Sequence, residues 1–204
     1  MKIDDSHPLL LPTAYFPPIS YFRLLYSHPT AVVEVLETYP KQTLRNRTEI
    51  LSANGILQLS VPVIRPNGNH TLTKDIAISY SEPWNIRHWR ALVSAYNNSP
   101  YFLYYRDPLE QILLQRHTRL IDLNQILLQQ LLRWLKLDCR VDFSTQFMTP
   151  KGQANDFRYS LPDKLSSHTP YYQVFNTRFP FQPNLSILDL LFNLGPEATG
   201  YWSQ

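Results

Sequence analysis

Four side chains lie close together near the start of the run TYPKQTLRNRTEILSANGILQLSVPV, which spans 38–63: Lys41, Arg45, Asn46 and Arg47. Arginine presents a planar fork that matches phosphate or carboxylate, and lysine adds a point charge. On an extended chain, positions 45 and 47 project to one side and would aim both guanidiniums at one ligand. Each cation taken singly fits equally well on a solvated face, or in an ion pair with Glu34, Glu37 or Glu49. As a cluster they are read as an anion seat. An Asn54-Gly55 turn and an alternating run over 56–63 follow at once, so a hairpin is expected to hold the seat.

Candidates for proton transfer are fewer. His88 falls in a helical pattern beside Trp84, Asn85 and Trp89, and can serve as a general base only with a substrate proton in reach. A histidine on an amphipathic helix is also an ordinary structural residue. Asp156 and Arg158, in the motif ANDFR (154–158), point to one side of an extended segment. They can pair with each other or reach a ligand. Tyr15 and Tyr21 are candidate ring-and-hydroxyl contacts, and Tyr39 flanks the same seat; aromatics next to proline also pack cores and turns. Asn97 closes the helix of His88, as a cap or as a ligand contact.

Much chemistry is disfavoured. The six histidines are scattered without metal-ligand spacing, and H-E-x-x-H, G-x-S-x-G, Walker and G-x-G-x-x-G motifs are absent. A single cysteine, Cys139, rules out an internal disulfide and a cysteine-built zinc site. The sequence names no cofactor. A net charge of +3 is too small to make a nucleic-acid binder. With neither a leader-like N-terminus nor an apolar run of membrane length, a soluble cytoplasmic protein without a membrane partner is expected.

The elements that position these residues read as a single α/β domain over 1–204. A strand over 8–14, a helix beginning near Pro18 and a strand over 31–37 form a βαβ unit. Its strand ends, 15–18 and 37–41, are the expected ligand edge. Further strands over 56–64 and 74–80 complete a mixed sheet of about four to six strands. Helices are expected over 84–98 and 108–137, the second bent near Asp122, which is a candidate cap. Residues 142–183 are broken by proline and carry aromatics, an irregular arm able to cover a cleft. A last helix over 184–194 ends at Gly195-Pro196.

Collinear blocks add a resemblance: TAYFPPISYF (13–22), YPKQTLRNR (39–47), HWRALVSAYNNSPYFLYYRD (88–107), ANDFR (154–158) and PNLSILDLLFNLGPE (183–197). Together with LSVPV, KDIAIS and YYQVF they resemble the WbqC-like family, in the form found in Bacteroidetes-type bacteria. Two positions depart from the family's usual pattern. Ser20 stands where many members have Gly, and Thr13-Ala14 stands where many have Gln or His. The resemblance implies a role in surface-polysaccharide (O-antigen) biosynthesis but transfers no reaction or catalytic residue. The expected function is group transfer on a phosphorylated or nucleotide-sugar substrate held at 41–47. The alternative is a non-catalytic scaffold of the assembly machinery.

Overall fold

A computed structural model describes residues 7–149, 155–161 and 169–203. The N-terminal unit is β1 (Leu9–Pro12), α1 (Ile19–Ser27) and β2 (Thr30–Glu34). The two strands pair in parallel, with Leu9 opposite Ala31 and Pro12 opposite Glu34. All four β1 residues are buried, as expected of a parallel strand covered on both faces. Between them, α1 starts at Pro18, which adopts extended geometry, and stops at His28, which the following Pro29 holds extended. Its Ile19, Phe22, Leu24 and Leu25 face the core.

A later strand, β7 (Arg140–Phe143), joins the free edge of β2, again in parallel. The irregular arm therefore begins after it, at 144 rather than 142. On the other edge of β1 the arm returns. Leu10 N–H donates to the Asn155 carbonyl, and Phe157 N–H donates to that of Leu10, both within 2.9 Å. Residues 155–157 thus lie beside β1, one strand away from β2. Part of the ANDFR motif, and the segments 150–154 and 162–168 of the arm, lie outside the described residues.

The remaining strands do not extend that sheet. β3 (Arg47–Ser52) and β4 (Gly55–Ser60) form an antiparallel hairpin whose turn places Gly55 at φ +100°. β5 (Val63–Ile64) pairs separately with β6 (Ala77–Ile78). The single strand expected over 56–64 is cut at Val61-Pro62, because proline has no N–H for a ladder. Val61 N–H instead reaches the Asn46 carbonyl. Parallel and antiparallel pairing are thus divided among three small sheets.

The helical layer contains α2 (Trp84–Tyr96), α3 (Phe102–Leu114) and α4 (Leu120–Trp134). The expected helix start at Pro108 is corrected: α3 begins six residues earlier, at Phe102, and carries Pro108 inside it. The bend falls at 115–119, and the residue at the N-cap of α4 is Arg119 rather than Asp122. Asp122 sits in the first turn, where its negative charge suits the helix N-terminus, and takes two hydrogen bonds from Arg119.

The last helix, α5 (Ile187–Leu194), is the core of the molecule. Residues 187 to 193 are all buried, as a helix that is apolar almost all round requires. Phe192 meets Tyr96, Phe102 and Tyr105 at ring separations of 5.1, 5.1 and 6.3 Å. Two polar residues are buried with them: Asn193, which donates to the Asp189 carbonyl, and Asp189, whose carboxylate accepts from Tyr96, Tyr171 and Gln173. These bonds fasten the arm to the helix.

Gly195 closes α5 at φ +55° and ψ −128°, a conformation available essentially to glycine alone. A Cβ there would run into the ring of Tyr101. Gly195→Ala is expected to destabilise the fold by about 2 kcal/mol, within the range for enforced backbone strain. Gly200→Ala has open space around it and ordinary φ, so it serves as the neutral control in a urea titration.

Candidate functional site

The carboxyl ends of β1 and β2 meet the returning arm over a set of buried charges. Glu34, the last residue of β2, is fully buried. Its Oε1 accepts from Leu36 N–H and the Ser144 hydroxyl, and its Oε2 from Met148 N–H and Arg158 Nη1. Arg158 also donates from Nε and Nη2 to Asp156, at 3.0 and 2.7 Å, and from Nη1 to the Met148 carbonyl. A second pair lies alongside: Arg45 Nε donates to Glu37 at 2.7 Å, and Nη2 reaches the same oxygen and the Arg158 carbonyl. Three carboxylates thus face two guanidiniums. Tyr159 covers both cations, its ring centroid 5.9 Å from Arg45 and 5.6 Å from Arg158. Burial raises the pKa of its hydroxyl, as does its interaction with the Glu37 carboxylate.

Next to this network a cleft of about 390 Å³ opens. One wall is the hairpin, which contributes Arg47, Glu49 and Gln58. These share a face, since Glu49 and Arg47 are two apart on β3 and Gln58 lies directly opposite Glu49. The other wall comes from the arm and the approach to α5, through Tyr159, Ser160 and Asn184. The loop after β2 supplies Gln42 and Thr43. Thr43 is also the link to the buried charges, because its hydroxyl accepts from Arg45.

Backbone strain gathers here. Of four non-glycine residues at positive φ among the described residues, Gln42 (+57°) and Asn184 (+56°) line the cleft. A third, Phe16 (+44°), offers its carbonyl to the hydroxyls of Thr48 and Ser186, both of which also line it. Such strain is held only where surroundings over-determine the backbone, and it concentrates at ligand sites.

The sequence candidates divide accordingly. Arg47 lines the cleft half-buried, and its Nε has no hydrogen-bond partner. Arg45 does not share its face: the strand begins only at Arg47, and Arg45 turns inward to Glu37. The pairing alternative for Arg45 is the one seen. Asn46 is buried and donates to the Val61 carbonyl, while Lys41 is exposed; neither lines the cleft. Asp156 and Arg158 hold each other. Burial raises the Asp156 pKa, but its hydrogen bonds from Arg158 outweigh that and hold it below the usual carboxylate value.

His88 and Tyr15 meet in the core instead. Tyr15 Oη lies 2.9 Å from His88 Nδ1, with Trp84 against both rings. Burial drives the His88 pKa down to about 4, against a hydrogen bond that the ring donates to the Ser60 backbone, which raises it. Tyr21 is buried and donates to the Pro12 carbonyl. Asn97 is exposed as the C-cap of α2, bonded through its backbone to Val93.

Gln42, Gln58 and Tyr159 were not expected at the site. The alternation of Arg47, Glu49, Gln58 and Ser60 across the hairpin marks a polar face that was legible at period two. Nothing in the local sequence placed Tyr159. Among the described residues, no three His, Cys, Asp or Glu side chains are grouped to hold a metal, and no helix is long and apolar enough to cross a membrane.

The molecule is therefore a small α/β protein with a polar cleft at the carboxyl edge of a parallel βαβ unit. It belongs to the WbqC-like protein family, whose model matches residues 13–165 and 163–201. It is also similar to the "Uncharacterized protein Rv1507c" of Mycobacterium tuberculosis, at 29% identity over 216 residues, covering 92% of this chain and 93% of the relative. No solved structure matches it.

Proposed function

We propose that this protein binds a phosphorylated sugar or nucleotide-sugar in the hairpin cleft, and acts by group transfer in the cytoplasmic biosynthesis of bacterial surface-polysaccharide (O-antigen) precursors. The observation that carries this reading is Arg47: a half-buried guanidinium on a cleft wall, with its Nε unpartnered. A buried donor of that kind lacks its compensating bond until an acceptor arrives. The amides of Gln42, Gln58 and Asn184 and the hydroxyl of Ser160 suit a polyhydroxylated ligand. Tyr159, exposed and backed by two guanidiniums, supplies a ring on which a sugar or base can stack.

The test is a thermal-shift screen of sugar phosphates, nucleotides and nucleotide-sugars, with Arg47→Ala alongside. Ligand at a hundred times its Kd stabilises the native state by about 2.7 kcal/mol, a readily seen shift. Arg47→Ala is expected to weaken binding by about ten- to a hundredfold, the worth of a hydrogen bond to a charged group. A family of phosphorylated ligands that shifts both proteins equally sinks the Arg47 seat.

A second reading, a non-catalytic scaffold, draws on Leu103 and Tyr104. Adjacent on α3, they are 68% and 76% exposed. Under it, no metabolite shifts the melting point, and replacing this pair abolishes capture by polysaccharide-assembly components.

A further inference from the structure

Arg47 and Glu49 are the charged residues on the cleft wall, and they are of opposite sign. They stand two residues apart on β3, so their Cα atoms are separated by roughly 6.5–7 Å and their side chains leave the same strand face. Neither enters an ion pair within the described residues. That is a choice of geometry, since the buried arginines nearby all find carboxylates. A cleft built for a purely anionic ligand gains nothing from Glu49, whose charge opposes the phosphate that Arg47 attracts. Gln58 lies opposite Glu49 in register and adds a neutral carboxamide next to the carboxylate. The remaining polar lining is uncharged. At about 390 Å³ the cleft is at the small end of the roughly 300–1,000 Å³ typical of ligand pockets, the size of one monosaccharide unit rather than a glycan.

We infer that the ligand carries both signs: an aminosugar phosphate, its phosphate on Arg47 and its free ammonium group on Glu49. This rests on the phosphosugar reading above and names the class of sugar. The carboxylate selects against the hydroxyl and the acylated amine at the same ring position, because neither brings a positive charge to it.

The experiment is calorimetric titration of the full chain with glucosamine 6-phosphate, glucose 6-phosphate, N-acetylglucosamine 6-phosphate and inorganic phosphate. It is run on the wild type, Glu49→Gln and Arg47→Ala. Glu49 is exposed, so its amide variant keeps the fold. The wild type is expected to bind glucosamine 6-phosphate about two- to fivefold more tightly than the other sugar phosphates, the worth of one exposed charge pair. Glu49→Gln brings that affinity down to the level of glucose 6-phosphate and leaves glucose 6-phosphate unweakened. Arg47→Ala weakens every phosphate ester. Equal wild-type affinity for the amino and hydroxyl sugars, still dependent on Arg47, overturns the aminosugar inference and leaves the phosphosugar reading standing. If no sugar phosphate binds, both fall.

Discussion

Arg158→Met lowers the free energy of unfolding by about 3–5 kcal/mol, the usual cost of removing one member of a buried, hydrogen-bonded charge set. Arg158 is 1% exposed and spends its guanidinium on Asp156, Glu34 and the Met148 carbonyl. Without it, Glu34 keeps its bonds from Leu36, Ser144 and Met148, but its buried negative charge loses its counterion. Glu37 lies nearby with Arg45 as its own partner, so no spare cation can take over. The damage should be directional. The strand-like return of the arm depends on Leu10 N–H to Asn155 and Phe157 N–H to Leu10, and those amides should lose hydrogen-exchange protection before β1–β2 amides do.

Two controls separate charge from shape. Glu34→Gln in the Arg158→Met background removes the stranded charge and should restore part of the loss, a coupling read by a double-mutant cycle. Asp156→Asn touches a residue nearer solvent and should cost less. A urea titration in which Arg158→Met loses under 1 kcal/mol would mean that the network does not anchor the arm.

How far the sequence carried can be judged from these same residues. The βαβ unit, the hairpin and the helices were legible because proline and glycine punctuate them and because apolar spacing switches between periods of two and 3.6. Two of the readings that shifted did so for tertiary reasons. Pro62 split one expected strand into two pairings, and a helix was found to pass through Pro108 because Phe102 and Tyr105 pack against α5. The central place of α5 was hidden by its position at the chain's end. Its near-continuous apolar composition was the available signal.

At the site, residue types were easier to read than partners. Arg45 and Arg47 look alike in sequence, yet one turns to Glu37 and the other into the cleft. Which does which depends on where β3 begins, and strand boundaries are set by pairing with β4 rather than by local preference. Asp156 and Arg158 were expected either to pair with each other or to reach a ligand, and they pair. That Arg158 also reaches Glu34 follows only from the arm's return along β1, a contact across more than a hundred residues. Tyr159 shares that dependence, which is why no local pattern pointed to it.

His88 gives the second large effect, and it is a pH dependence. Burial is the main cause of its low pKa, about 4 against an ordinary 6.5, because the imidazolium cannot recover its hydration between Tyr15 and Trp84. Above pH 6.5 the imidazole is neutral in folded and unfolded chains alike, and its contribution to stability is complete. Between 6.5 and 4 the unfolded chain takes up a proton that the folded chain refuses, so stability falls as pH falls. Below 4 both forms are protonated and the loss levels off. The total is about 3 kcal/mol, at 1.36 kcal/mol for each unit of difference.

Other groups titrate in acid too. Asp156 also loses stabilisation as pH falls through its lowered pKa, while Asp189, whose pKa burial raises, gains it over the carboxylate range. A difference measurement cancels both. His88→Gln can still accept from the Tyr15 hydroxyl but carries no titrating group. At pH 8 the variant should be less stable than the wild type, from imperfect packing. By pH 4.5 that gap should narrow by 2–3 kcal/mol or reverse, as the wild type alone suffers the imidazole's exclusion of the proton. A gap that stays constant across the range would place the imidazole in contact with solvent and return His88 to the pool of possible bases. A narrowing gap fixes it as a core residue, and the proton chemistry of the cleft then falls to the groups that line it.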